Sequence, residues 1–191
     1  MNGMKDWEQL FSSAGLFKMN EALLIHGRRV AGFACAIAEK MKYCAEGIEY
    51  IALAAFLHDI GKAELPADIL NKPAALDKKE LAVIRKHPQF GYRLLQNIKS
   101  GSVIADVALQ HHERMDGSGY PLGLKEKDIN PVSRIIAVAD VVEAMVTAQV
   151  YRPALTFEDA IREIRNKSGI LYDPQVVGVS LELIEKNETN L

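Results

Sequence analysis

Residues 20–42 read NEALLIHGRRVAGFACAIAEKMK, and this stretch decides the fold. Ala22, His26, Val30 and Phe33 recur at steps of three and four, so they share one face of a helix. Asn20 stands where an N-cap belongs. Working outward, Glu46 to Asp59 forms a second helix ended by Gly61. Asp77 with Glu80 makes a capping-box start to a helix that breaks before Pro88, leaving His87 at a helix junction. Ser102 caps a helix to about Arg114, and the glycine-rich run from Asp116 to Gly123 is a turn. Pro131 opens a long helix to about Val150, while Thr156 with Asp159, and Asp173 before Pro174, start two more. No strand-like alternation persists and no repeat appears, so the expected fold class is all-α.

A chain of 191 residues is enough for one sizeable domain. We expect that domain over residues 20–191, preceded by an N-terminal extension or linker helix over 1–19 that carries Trp7, Leu10, Phe11 and Ala14 at helical spacing. Hydrophobic residues at 49% and charged residues at 25% are an ordinary globular balance, which argues against disorder. A net charge of -2 does not supply the basic surface that nucleic-acid binding needs, so an anionic ligand must be held by local charge. No membrane-length apolar run and no secretory start are visible, and the expectation is a cytoplasmic protein that does not bind membrane. Cys35 and Cys44 lack metal-site spacing and are expected to be reduced, partly buried thiols, neither of them catalytic.

Histidines and acids fall on faces that should be buried. His26 shares its stripe with Ala22, Val30 and Phe33; His58 and Asp59 continue that of Ile51 and Ala55; His111 and His112 follow Ile104, Ala105 and Ala108; Asp140 lies between Ile136 and Ala144. Any one such histidine could be a hydrogen-bonded core residue. Four helices that each deliver His or Asp inward are better explained by divalent metal, because unpaired burial costs several kcal/mol per charged group. Imidazole and carboxylate donors without thiolate suit iron, manganese, nickel or zinc. With His87 the candidates number seven, more than one ion requires, and Asp59 can bridge, so two ions and phosphate-ester chemistry are expected.

The order His26, His58-Asp59, Asp140 resembles the HD phosphohydrolase superfamily. The run His58-Asp59-Ile60-Gly61-Lys62, then His87-Pro88, then His111-His112-Glu113-Arg114-Met115-Asp116-Gly117-Ser118-Gly119-Tyr120-Pro121, resembles its HD-GYP subfamily, which cleaves cyclic di-GMP. The resemblance implies an HD-domain helical bundle with extra C-terminal helices of the HD-GYP type. It implies that His26, His58, Asp59 and Asp140 hold one metal ion, and Asp59, His87, His111 and His112 the other. Iron or manganese are the first expectation, zinc or nickel the alternatives. By the same resemblance Asp59 and Lys62 are catalytic, a hydroxide between the ions attacks phosphorus, and cyclic di-GMP is opened to linear pGpG and on to GMP. Another cyclic dinucleotide, such as cyclic GMP-AMP, and a regulatory protein-binding module are the alternatives. Lys62, Gln149 and Arg152 are the expected substrate contacts. The Gly119-Tyr120-Pro121 loop either shapes the rim of the site or receives a signalling partner, and homodimerisation is left open. Glu113, Asp116 and Arg134 are expected to tie loops or support ligands.

Two positions depart from the family pattern. Ala22 stands where some members carry a glutamate for a third metal, which favours two ions. After Asp140 the usual aromatic, Asp-Ala-Leu and Arg-Pro-Tyr are replaced by Val142-Glu143-Ala144-Met145 and Gln149-Val150-Tyr151. A charge-assisted contact worth about 1.5 to 3 kcal/mol is thereby lost, and substrate choice can differ.

Overall fold

The computed structural model describes residues 20–96, 102–148, 153–189 and 191. The expected N-terminal helix and the candidate substrate contacts Gln149 and Arg152 lie outside them. The described elements are α1 (Glu21–Lys40), α2 (Ala45–Leu57), a 3-10 turn (Ile60–Glu64), α3 (Ala67–Leu70), α4 (Lys78–Ile84), α5 (His87–Leu95) and α6 (Ser102–Gln110). A second 3-10 turn (Glu126–Asp128), α7 (Pro131–Val146), α8 (Phe157–Asn166) and α9 (Pro174–Glu185) complete them. No strand occurs among the described residues, and the all-α expectation holds. No described helix is long and apolar enough to cross a membrane.

Local chemistry starts these helices where the sequence places the signals. Asn20 Oδ1 accepts from the Leu23 amide at 3.0 Å, and Asp77 with Glu80 and Thr156 with Asp159 form full capping boxes. Asn130 and Asp173 cap helices that carry proline in their first turn. Each cap satisfies amides that would otherwise lack a partner, at about 1 kcal/mol apiece.

The core is built by α1, α2 and α7, with α8 and α9 closing one side. Val30, Phe33, Ala34 and Ile37 of α1 meet Ile51, Ala54 and Ala55 of α2 and Ile135, Val138, Ala139 and Val142 of α7, all fully buried. Small residues on α1 and α2 let the axes approach, and Phe33 and Phe56 fill the volume between. Truncating Phe33 to alanine would cost roughly 3–5 kcal/mol.

Three expected helix ends are corrected. Gly61 is not a helix-ending residue: α2 stops at Leu57, and Gly61 lies within the following 3-10 turn. The helix from Ser102 stops at Gln110 instead of running to Arg114, because the chain tightens there and the Glu113 amide bonds the Gln110 carbonyl at 2.8 Å. The helix opened by Pro131 stops at Val146, where Thr147 turns extended and its amide bonds the Glu143 carbonyl. Both cysteines are free and Cys35 is half-buried as expected, but Cys44 is exposed instead of partly buried, because it stands outside the helix at the N-cap of α2.

Candidate metal centre

The ends of helices position most of the site. His58 is the C-cap residue of α2, His87 begins α5 directly after α4, and His111 follows the last residue of α6. Each places Nδ1 on the carbonyl three residues back: His58 on Ala55 at 2.6 Å, His87 on Ile84 at 2.8 Å and His111 on Ala108 at 2.8 Å. Those carbonyls lie in the last turn of their helices, where the helical ladder leaves acceptors without an amide. A carbonyl can only accept, so Nδ1 carries the proton in all three rings. The Nε2 lone pair is left pointing inward.

These lone pairs converge on Asp59. Asp59 Oδ1 lies 3.1 Å from His87 Nε2 and 3.6 Å from His111 Nε2. Its other oxygen lies 3.5 Å from both His26 Nε2 and His58 Nε2. Asp140 Oδ1 completes the second side, 3.2 Å from His26 Nε2 and 3.7 Å from His58 Nε2. Two groups of possible metal donors result: Asp59, His87, His111 and His112 in one, and His26, His58 and Asp140 in the other. Asp59 thus gives one oxygen to each side. The seven candidate ligands read from the sequence are all brought together. Four of them are buried, whereas His26, His112 and Asp140 remain partly open, so the cluster has one solvent-facing side.

The donors fit divalent ions on grounds internal to the structure. His58 Nε2 and Asp59 Oδ1 are buried and make no hydrogen bond. His87 Nε2 and His111 Nε2 face each other at 3.2 Å, although both rings have already placed their protons on Nδ1. Lone pairs at that separation need a cation between or beside them.

The electrostatics divide the cluster. Burial alone would raise the Asp59 carboxyl, yet Lys62, whose ammonium pairs with Asp59 Oδ2, and His58 hold it well below the usual carboxylate range. Burial opposes a charge on His26, but Asp140, Asp59 and Glu143 together raise it to about 11. Burial pushes His111 down to about 4. Burial and the neighbouring His111 lower His112 well below its ordinary value.

The glycine-rich loop folds over His112. Tyr120 stacks on the imidazole with ring centroids 4.7 Å apart, and the Arg85 guanidinium lies 5.1 Å from the Tyr120 centroid on the rim. Gly119 is packed so closely that a Cβ would stand 2.5 Å from the Arg114 amide, the Glu113 Cα and the His112 carbonyl. Glu113 ties the loop by accepting from the Leu122 amide at 2.7 Å and the Leu124 amide at 3.0 Å. Asp116 accepts from Ser118, and Arg134 joins the Ile129 carbonyl to Asp173. All three therefore tie loops.

Glu143 was missed as part of the site. It is buried on α7 and meets His26 Nδ1 at 2.6 Å. A signal existed: Glu143 lies three residues after Asp140, on the same helical face, inside an otherwise apolar run.

The sequence signature of the HD domain matches residues 13–176 of the chain. The chain belongs to the HD domain family. Within it the chain is of the HD-GYP type. A cyclic di-GMP phosphodiesterase of Thermotoga maritima is 44% identical over 170 residues, which cover 87% of this chain and 45% of that protein. A 3'3'-cGAMP-specific phosphodiesterase of Vibrio cholerae is 35% identical, over 82% of this chain and 30% of that protein. The HD domain therefore spans less than half the length of these relatives. Among solved structures, Bd1817, a HDG"Y"P protein from Bdellovibrio bacteriovorus, superposes with a TM-score of 0.72 at 22% identity, over 85% of this chain and 52% of that one. That likeness establishes the fold.

Proposed function

We propose that this HD domain is a metal-dependent phosphodiesterase for cyclic dinucleotides, with cyclic di-GMP its first substrate, linear pGpG its product and GMP the product of a further cut. The observation that carries the reading is Asp59, which faces one histidine group with each carboxylate oxygen. The relatives named above act on cyclic di-GMP and on 3'3'-cGAMP, which supports the substrate class.

His26, His58, Asp59 and Asp140 would hold one ion, and Asp59, His87, His111 and His112 the other, iron or manganese first. When bound, the cations make water nucleophilic near neutral pH and offset charge on the phosphoryl oxygens. The chain's own residues do the rest. Three rings present Nε2 without a proton because helix-end carbonyls hold their Nδ1 hydrogens, so ligation requires no proton loss. Asp59 holds the two groups at a fixed spacing and remains ionised. Lys62, already beside Asp59, brings a positive charge to the place where a phosphate oxygen would lie. His26 and Asp140 mark the open side through which a diester enters. Tyr120, stacked on His112, and Arg85 form the rim there. Gln149 and Arg152 complete the proposed substrate contacts.

The test incubates iron- or manganese-loaded protein with cyclic di-GMP under reducing conditions and separates products by chromatography. Linear pGpG is the expected product, and its absence with either metal overturns the reading. Mixed cyclic GMP-AMP deserves the parallel assay, because of the Vibrio relative and the uncharged Gln149.

A further inference from the structure

Of the four imidazoles flanking Asp59 whose Nδ1 partners are described, three are oriented by peptide carbonyls at helix ends. His26 is not. It sits inside α1, where the carbonyls one turn back are used by the helix itself, so its ring must find an acceptor elsewhere. That acceptor is the carboxylate of Glu143, which reaches from α7 to His26 Nδ1 at 2.6 Å. Glu143 is only 1% exposed, and its second oxygen is also engaged. Thr147 Oγ1 donates to Oε1 at 2.9 Å and itself accepts from Arg29 Nη1 at 3.1 Å. The Arg29 guanidinium lies a further 3.6 Å from Oε1.

We propose that Glu143 is a positioning residue for one of the two half-sites: it fixes the His26 proton on Nδ1, aims Nε2 at Asp59 and Asp140, and makes His26 depend on a side chain where His58, His87 and His111 depend on backbone. The inference rests on the two-ion reading above. Glu143 meets the ring nitrogen remote from the cluster, so it is not itself a ligand. A carboxylate in this place accepts only, and it increases the electron-donating power of the imidazole beyond what a neutral carbonyl provides. A glutamine would keep the volume but lose both properties. Its amide nitrogen can donate to Nδ1, which would shift the proton to Nε2 and aim it at the ion.

The experiment titrates Mn²⁺ into metal-stripped wild-type, Glu143→Gln and Lys40→Gln proteins, and follows binding by calorimetry with circular dichroism as the fold control. Wild type should take up two ions. Glu143→Gln should weaken one of them about 10- to 100-fold and leave the other unchanged. Lys40→Gln removes the surface tie of α1 to Glu182 of α9, away from Glu143 and His26, and should bind as wild type does. If wild type binds two ions and Glu143→Gln matches it at both, or if Lys40→Gln is impaired equally, Glu143 is only a tie between α1 and α7 and the two-ion reading survives. If wild type binds none, both ideas fall together. Nitrogen-15 NMR of the zinc-loaded wild-type protein serves even if the glutamine variant does not fold. His26 must show a protonated Nδ1, and a protonated Nε2 in its place would overturn the assignment.

Discussion

His87 Nε2 and His111 Nε2 stand 3.2 Å apart, and neither has a proton to share with the other. Both protons are held on the opposite ring nitrogens by helix-end carbonyls. The folded chain therefore carries a repulsion that a cation removes. Adding Mn²⁺ to metal-stripped protein at about a hundredfold its Kd should stabilise it by about 2.7 kcal/mol for each ion bound. For a domain of this size that corresponds to roughly 5–10 °C in Tm by differential scanning fluorimetry. His87→Ala should remove part of the shift and reduce bound metal toward one ion per chain by elemental analysis.

Asp59→Asn keeps the shape but removes the charge that faces both histidine groups. Turnover of cyclic di-GMP should fall by at least about 10²-fold, the scale of losing one electrostatic contact in a transition state. Product formation followed by chromatography under saturating metal checks it. A variant that retained half of wild-type turnover would exclude Asp59 as the shared ligand.

Lys62→Met should lower turnover while leaving metal content unchanged, since the ammonium pairs with Asp59 without belonging to either donor group. A loss of about 10²-fold with two ions still bound is the expected result, read by kinetics and elemental analysis on the same sample.

Gly119→Ala would put a methyl group 2.5 Å from three backbone atoms of the His112 to Arg114 segment, and backbone cannot yield as a side-chain tip can. We expect a loss of about 1–3 kcal/mol in urea unfolding and a larger fractional loss of turnover, because His112 moves with the segment.

Metal-stripped protein should also show a defined pH response. His111 is lowered to about 4 from an ordinary 6.5, so between those values the unfolded chain binds more protons than the folded one and stability rises with pH. His112 acts in the same direction. The slope is at most about 1.4 kcal/mol per pH unit for each ring. His26 acts oppositely above this window: raised to about 11, its contribution is complete below 6.5 and fades as pH climbs toward 11. Tm measured from pH 4 to 10 should therefore peak near neutrality. A Tm that fell steadily from pH 4 to 6.5 would contradict the burial of neutral His111 and His112.

Much of this was legible beforehand, for identifiable reasons. Asn20, Asp77 and Thr156 act on amides within three residues, so their caps are local facts that a sequence contains. The inward placement of His26, His58, Asp59 and Asp140 followed from helical period. The ends at Leu57 and Gln110 were not legible, because no glycine or proline stands directly after either, and at Gln110 the stop is a tight turn closed by the Glu113 amide. Glu143 escaped notice since its partner lies 117 residues away and on another helix. Period shows that a residue points inward, but not which other inward residue it meets.

The 3-10 turn after Asp59 lies against α5 with no clearance: a Cβ on Gly61 would stand 1.9 Å from the His87 carbonyl oxygen and 2.5 Å from the Gly91 amide. Asp59 and His87 belong to elements that touch at this glycine. Any side chain there would act as a wedge, prising the carboxylate away from the imidazole while leaving every donor atom chemically intact. The distance between the proposed pair of ions is thus gauged by a missing methyl group, and a protein with all seven donors could still lose its second ion through an alanine that touches none of them.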